Sequence, residues 1–474
     1  MLTFKTFLGA GWSVSSRLLG RLIDIGTLLI LARTLSPADF GLTALAMTLI
    51  AVVETVLEIP LTQALTRLKH IEKVHLDTAF TLGLLRGVLF TLVVVVAAWP
   101  FAKFYHDPRL AALITVLSLG PVARGLYSPA MVKFIREMSF REVFLSQFLG
   151  KLAATAAAIL VLYMGGGYWA IVMNGVGASL GATLISYVIA PYRPAFSLAE
   201  MHQFSGFMGW FSASQLVSAL NWQFDRVLLG HFTTKAELGK YTMAGDVATL
   251  PTASLIGPAM QPVMAAFSRI NHDPSRLRSA YLKASRFTMM LSVPVCVFMS
   301  LTSDLTTDLL LGPQWKAAGV YLQWLALTIA PNAYSQPLSA LAFAVGRPRT
   351  IFEINAIELC FRIVLVTIGL YYYSIWGAIA ARGLVSFIMF VVSLVSSRHL
   401  ARVSIASQLV NLWEITLAST AMAVTILVLR DFSAGWHLSD FFALSFIGTG
   451  AGLTYVGVLF MLGVRIAAQM APQR

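Results

Sequence analysis

Arg17, Arg21 and Asp24 stand in "GWSVSSRLLGRLIDIGTLLILA", residues 11 to 32, an otherwise apolar run long enough to cross a bilayer as a helix. Their i, i+4, i+7 spacing puts all three on one helical face. A charge at the bilayer centre costs about 2.5–3.5 kcal/mol on insertion scales, so such residues face an ion partner or a water-filled cavity. The same pattern recurs along the chain. Basic residues inside apolar runs are Arg17, Arg21, Arg86, Arg124, Lys151, Arg226, Arg362 and Arg382; acidic ones are Asp24, Glu54, Glu58, Asp225, Asp246, Glu353 and Glu358. Arg21, Asp24, Arg86, Lys151 and Arg362 fall near mid-depth of their runs, whereas Arg124 and Arg226 fall near the ends, where they suit snorkelling or a gate pair. Each arginine has three readings: lining a cavity, pairing with a carboxylate such as Asp24, Glu54 or Glu58, or snorkelling to the interface.

The carboxylates have their own chemistry. Glu54 and Glu58 lie at i and i+4 with Pro60 just beyond, and Asp246 precedes Pro251, Pro258 and Pro262, which implies a kinked helix. An intramembrane carboxylate is a natural protonation site, so Asp24, Glu54, Glu58, Asp225 and Asp246 are candidates for binding a coupling proton or sodium ion, or for gating. In "ALNWQFDRVLL" Asn221 and Asp225 share a face, with Trp222 beside them as a stacking surface for a sugar. The other tryptophans cluster near span ends, as interfacial belts require. There is no P-loop, GxSxG or HExxH, and no paired carboxylates in a sizeable loop, so neither an enzyme nor a metal or cofactor site is expected. Cys296 and Cys360 lie in apolar runs and read as packed thiols.

The elements that must position these residues are membrane helices. The 474 residues are 58% hydrophobic and 12% charged, with a mean hydropathy of +0.77. Windows of about 20 apolar residues give an all-α, polytopic chain of about fourteen spans, among them 40–66, 109–128, 240–266, 350–373 and 375–396. The first is read as retained, not as a cleaved signal. Placing both termini in the cytoplasm puts about 19 Lys and Arg on that side and about 7 on the other, which satisfies the positive-inside rule. The net charge of +13 is thus largely a topology signal beside anionic membrane lipids, and no nucleic acid is expected as a partner. Residues 11–41 align without a gap on 209–239, at an offset of 198, with eight of 31 positions identical, including Gly11 with Gly209, Trp12 with Trp210 and Gly41 with Gly239. Six spans separate the copies, so the repeat is parallel. The expected organisation is an N-terminal lobe of six helices (1–200), a second lobe of six (201–400) related to it by a pseudo-two-fold, and a C-terminal helix pair (401–474). Small residues four apart, as in "GLLRG" and "GASLG", predict close helix packing.

Several stretches form a recognisable set: "GAGWS", "LSPADFG", "MQPVMAAFSRINHDPSRLRSAYLKASR", "LLLGPQWKAAGVYLQWLAL" and "LSALAFAVGRPRT". In that order they resemble the polysaccharide transport family, the Wzx-type and colanic-acid-type flippases, over about residues 5 to 400. These belong to the superfamily that also holds multidrug and toxin extruders and the lipid II flippase. The resemblance implies an alternating-access flippase of the bacterial inner membrane. It would move an undecaprenyl-diphosphate-linked oligosaccharide to the periplasmic leaflet, with a polysaccharide polymerase and export machinery as partners. A diphosphate needs several guanidinium groups to replace its water. Arg17, Arg21 and Arg86, with Arg362 opposite, are therefore the expected lining of a cationic cavity, and Asn221 and Trp222 the expected sugar contacts. An organic-cation extruder would need an acidic or neutral cavity, and a polymerase or ligase a larger periplasmic surface than these short loops offer.

Overall fold

The computed structural model describes residues 19–59, 61–68, 70–137, 139–201, 210–435 and 439–464; Arg17 and Trp12 lie outside them. All regular structure among these residues is helical. Among the described residues eight helices are long and apolar enough to cross a membrane, nine if the bent pair Arg109–Gly125 and Pro129–Arg136 is one span, and the chain is a multi-pass membrane protein.

The chain divides into two compact units, Met1–Gly239 and Lys240–Arg474. Unit 1 contains α1 (19–34), α2 (Pro37–Val56), α3 (Leu61–Arg67), α4 (Lys73–Phe104), α5 (Arg109–Leu117), α6 (Leu119–Gly125), α7 (Val132–Arg136), α8 (Phe140–Tyr163), α9 (Trp169–Ile189) and α10 (Trp210–Phe232). The next helix, α11 (Lys235–Ile270), begins in unit 1 and runs on into unit 2 through Pro251, Pro258 and Pro262 as one element. Unit 2 continues with α12 (Pro274–Leu301), α13 (Ser303–Leu310), α14 (Lys316–Ala333), α15 (Ser335–Ala344), α16 (Pro348–Leu400), α17 (Ile405–Val410), α18 (Trp413–Gly435) and α19 (Asp440–Met461).

Burial in α4 shows how these helices meet their surroundings. Gly83, Gly87, Phe90, Val94 and Ala98 are buried, while Leu85, Val88, Leu92, Val96 and Trp99 project outward. An outward apolar stripe is what a lipid-facing surface requires, and small residues on the inward face let backbones approach. A Cβ on Gly83 would lie 2.3 Å from the Gly125 carbonyl oxygen, and one on Gly181 2.9 Å from the Gly150 Cα. The small residues of "GLLRG" and "GASLG" thus mark helix contacts, as expected.

The repeated segments end in the same local chemistry. Ser36 caps α2: its hydroxyl accepts the Asp39 N–H at 3.3 Å, and Asp39 accepts the Ser36 N–H at 3.1 Å, a capping box. At the matched positions ahead of α11, the Thr234 hydroxyl accepts the Glu237 N–H at 3.2 Å. The two matched glycines then meet. A Cβ on Gly41 would lie 1.8 Å from the Lys235 carbonyl oxygen, and one on Gly239 1.8 Å from that of Pro37, itself the counterpart of Lys235. This reciprocal contact explains why the duplicated motif ends in glycine in both copies.

Three expectations need adjustment. The expected second span (40–66) stops as α2 at Val56, so Glu58 leaves the helical register it was expected to share with Glu54. The expected fourth span (109–128) is broken into α5 and α6 and then bends by 50° into Pro129–Arg136, because Pro121 and Pro129 interrupt its backbone pairing. Cys296 is buried as expected, whereas Cys360 is exposed on its apolar helix. The break expected at "YYYSIW" is present: α16 is two helices joined at Tyr373 and Ser374, where Ser374 has φ 53°, and Gly369 packs directly on Gly377.

Candidate binding cavity

In unit 1 a cavity of about 550 Å³ opens among the end of α2, α3, α4, α6 to α7, α8 and α9. Its size falls within the range of about 300–1,000 Å³ common for small-molecule sites. The wall is mainly apolar, but Arg86 from α4, Arg124 from α6 and Lys151 from α8 converge on it, with Glu58 the one carboxylate among the lining residues.

The broken backbone beside Arg124 is what makes a cavity possible here. Non-helical backbone at membrane depth is tolerated where protein or water satisfies it. Here α9 does so. The Thr183 hydroxyl donates to the Ala123 carbonyl at 2.6 Å, the Ser186 hydroxyl accepts the Ser128 N–H at 3.0 Å, and the Ser128 hydroxyl donates to the Ala190 carbonyl at 3.0 Å. The Tyr127 and Ser146 hydroxyls are 2.7 Å apart and tie the bend to α8. Arg124 is therefore held on a rigid corner.

Carboxylates stand against all three cations. Arg124 Nη2 lies 2.6 and 2.7 Å from the two Glu54 oxygens, and its Nη1 donates to Ser179 at 2.9 Å. Arg86 is 3.9 Å from the same Glu54 carboxylate. Lys151 Nζ is 2.7 Å from both oxygens of Asp24, which joins α8 to α1. The pairs are partly exposed: the side chains are 48% and 26% accessible for Arg124 and Glu54, and 34% and 44% for Lys151 and Asp24. Arg124 and Lys151 can thus exchange their carboxylates for another anion without crossing dry protein.

The other candidate residues are dispersed. Arg21 is exposed on α1 and makes no ion pair with a described residue. Arg362 belongs to unit 2, where it is buried and 2.5 Å from Glu358 of its own helix. Asn221 and Asp225 are both buried on one face of α10, but Trp222 is exposed away from them, which separates the two polar groups from the sugar-stacking surface expected beside them. Gln223, on the same helix, accepts from Thr48 of α2 at 3.2 Å. Asp246 is exposed on α11; nearby, Arg382 of α16 donates to the Tyr241 hydroxyl at 3.3 Å. Sequence reasoning singled out Arg86 and placed Lys151 at mid-depth, but treated Arg124 as a snorkeller or a gate pair. The signal that marks Arg124 is its position inside "SLGPVARGLYSP", where a glycine- and proline-interrupted span points to a binding site.

Comparison with known proteins gives a consistent result. The succinoglycan biosynthesis transport protein ExoT of Rhizobium meliloti (strain 1021) is 26% identical over 67% of this chain; the match spans 65% of that relative, just under two thirds. The lipopolysaccharide biosynthesis protein WzxC of Escherichia coli (strain K12) is 23% identical over 77% of this chain and 75% of its own length. The lipid II flippase MurJ in an inward closed conformation has the same fold, with a TM-score of 0.74 over 96% of this chain and 98% of that one, at 16% identity. An inward-facing multidrug resistance MATE transporter superposes with a TM-score of 0.62 over 82% of this chain and 99% of that one, at 13% identity. Residues 30–320, more than half the chain, match the family described as polysaccharide biosynthesis protein, and the chain belongs to that family.

Proposed function

We propose that this protein is an inner-membrane flippase that carries an undecaprenyl-diphosphate-linked oligosaccharide from the cytoplasmic to the periplasmic leaflet by alternating access, acting as a transporter and not as an enzyme. The observation that carries the reading is the convergence of Arg86, Arg124 and Lys151 on one cavity within a bundle of apolar helices. Two guanidinium groups and an ammonium can replace the water of a diphosphate through charge-assisted hydrogen bonds. The cavity accommodates the diphosphate and adjoining sugar, with the rest of the oligosaccharide outside it. The names of the relatives, which concern transport or biosynthesis of succinoglycan, lipopolysaccharide and amylovoran, support the substrate class.

In this mechanism the carboxylates hold the empty site. Glu54 and Asp24 neutralise the cations, the diphosphate displaces them, and a proton or sodium ion taken up by a released carboxylate couples the return. The reciprocal contact of Gly41 and Gly239 supports a pseudo-two-fold between two six-helix lobes, and the crowding of basic residues at one end supports cytoplasmic termini. Among the lining residues cations outnumber carboxylates three to one, which favours an anionic substrate over an organic cation.

The test is to deplete the protein and follow undecaprenyl-diphosphate-linked oligosaccharide, with rescue by wild type, Arg86→Ala or Arg124→Ala. Glycolipid trapped in the cytoplasmic leaflet, and not released by arginine variants that express normally, is the expected result. Glycolipid that crosses while polymer is missing would place the protein after flipping and refute the proposal.

A further inference from the structure

Unit 2 contains a second cleft, of about 270 Å³, where the loop after α15 meets the end of α16 and the α11–α12 turn. Its charged and titratable lining consists of Arg347, His399 and Arg402, with no carboxylate. None of the three makes an ion pair or side-chain hydrogen bond with a described residue, and all are exposed. The contrast with unit 1 is direct, since each cation lining the cavity there faces a carboxylate.

The arginines are held by fixed backbone. Gly346 has φ 71°, and the Arg347 N–H donates to the Ala342 carbonyl at 2.8 Å, which closes α15 in a left-handed cap. Arg402 itself has φ 52°, a conformation costly for a residue with a Cβ. It persists because Ala401 and Val403 on either side are buried and Gln408 Nε2 donates to the Val403 carbonyl at 3.3 Å. The turn thus buries its neighbours and leaves the guanidinium outside. Asn271 supplies an independent sign of a missing partner. It lines the same cleft, and its buried amide oxygen has no hydrogen-bond partner. A half-turn of the Asn271 amide exchanges this acceptor for an N–H donor.

Arginines near helix C-termini also offset the macrodipole, but that role needs neither a cleft nor an amide without a partner. Cation density without carboxylates, in a concave polar site at the basic end of the helices, fits a phosphate ester. We propose that Arg347, Arg402, His399 and Asn271 form a binding site for the phosphate of a membrane lipid, separate from the unit 1 cavity. Its placement at the cytoplasmic leaflet rests on the orientation proposed above; the phosphate chemistry does not.

The experiment uses the full-length protein in detergent carrying Arg86→Ala and Arg124→Ala, so that failure of the unit 1 site and failure of this one are distinguishable. Dioctanoyl-phosphatidylglycerol and farnesyl diphosphate are titrated by calorimetry, with dioctanoyl-phosphatidylglycerol competed by inorganic phosphate. Adding Arg347→Gln and Arg402→Gln should weaken binding by about tenfold or more, as expected for lost charge-assisted hydrogen bonds. Arg276→Gln with Arg278→Gln, which removes as much charge from the same end but outside the cleft, should change it less than about twofold. Equal affinity for the two ligands assigns the site to phospholipid, and a tenfold preference for farnesyl diphosphate assigns it to a polyprenyl diphosphate. Equal losses in the two double variants, no loss in the first, or no competition by inorganic phosphate would overturn the proposal.

Discussion

Replacing Glu54 by glutamine tests whether the carboxylates of the unit 1 cavity compete with substrate or merely orient the arginines. Glu54 contacts Arg124 at 2.6 and 2.7 Å and lies 3.9 Å from Arg86, so an anion entering the cavity must displace it. At an effective dielectric constant of about 20, unit charges about 4 Å apart interact by about 4 kcal/mol. Arg124 is half exposed, and screening reduces the usable part to about 0.5–1 kcal/mol. With a factor of ten for every ~1.4 kcal/mol, Glu54→Gln should tighten binding of farnesyl diphosphate by about two- to five-fold. Calorimetry in an Arg347→Gln, Arg402→Gln background confines the signal to unit 1. The same change should slow release and lower the thermal stability of the detergent-solubilised protein, because Arg124 loses its ionic partner. If Glu54→Gln instead weakens binding as much as Arg124→Ala does, the carboxylate positions the guanidinium and the displacement mechanism is wrong.

Other outcomes follow from packing and from the loops. Gly41→Ala should destabilise the protein by several kcal/mol in a thermal-unfolding assay, since its Cβ would meet a carbonyl oxygen at 1.8 Å, whereas Gly26→Ala, with open space around it, should be neutral or stabilise by up to about 1 kcal/mol. Gln408 is fully buried and bonds Tyr334 at 2.6 Å, Ser397 at 2.7 Å and the Leu394 carbonyl at 3.1 Å, so Gln408→Ala should cost about 2–4 kcal/mol; a loss below 1 kcal/mol would mean that water replaces it. In the loop between α4 and α5, burial alone would raise the Asp107 pKa, but hydrogen bonds from Arg109 and Lys235 outweigh it and hold the carboxyl below the usual range. A depressed folded pKa stabilises above the unfolded value of about 3.9 and is lost as pH falls toward the folded one, so acidification below about pH 4 should lower the melting temperature of wild type more than that of Asp107→Asn.

How much of this was legible in the sequence depends on the physical origin of each feature. The helical class, the multi-pass character and the family were, because a bilayer imposes apolar length on every span regardless of neighbours. The duplicated ending "LSPADFG" and "TTKAELG" was legible as a repeat but not as a mechanism. Only packing shows that Ser36, Asp39 and Thr234 are capping groups and that its glycines touch one another. The cavity was legible in part. Arg86 was identified by depth, yet depth is a property of one helix, whereas pairing is a property of several. Lys151 meets Asp24 across 127 residues and Arg124 meets Glu54 across 70, separations at which one chain without its homologues carries no spacing signal.

Arg362 illustrates the opposite failure. Its mid-depth position matched that of Arg86, but Glu358 one turn earlier pairs with it on the same helix, at the spacing that stabilises ion pairs within a helix. Arg86 has no carboxylate at i±3 or i±4 of α4, so its charge must be answered from another helix, here by Glu54 on α2. An intramembrane arginine that lacks an acidic neighbour one turn away on its own helix is therefore the better indicator of an interhelical site. By the same criterion Arg124, whose neighbours at i±3 and i±4 are Pro121, Gly120, Tyr127 and Ser128, should have been ranked with Arg86.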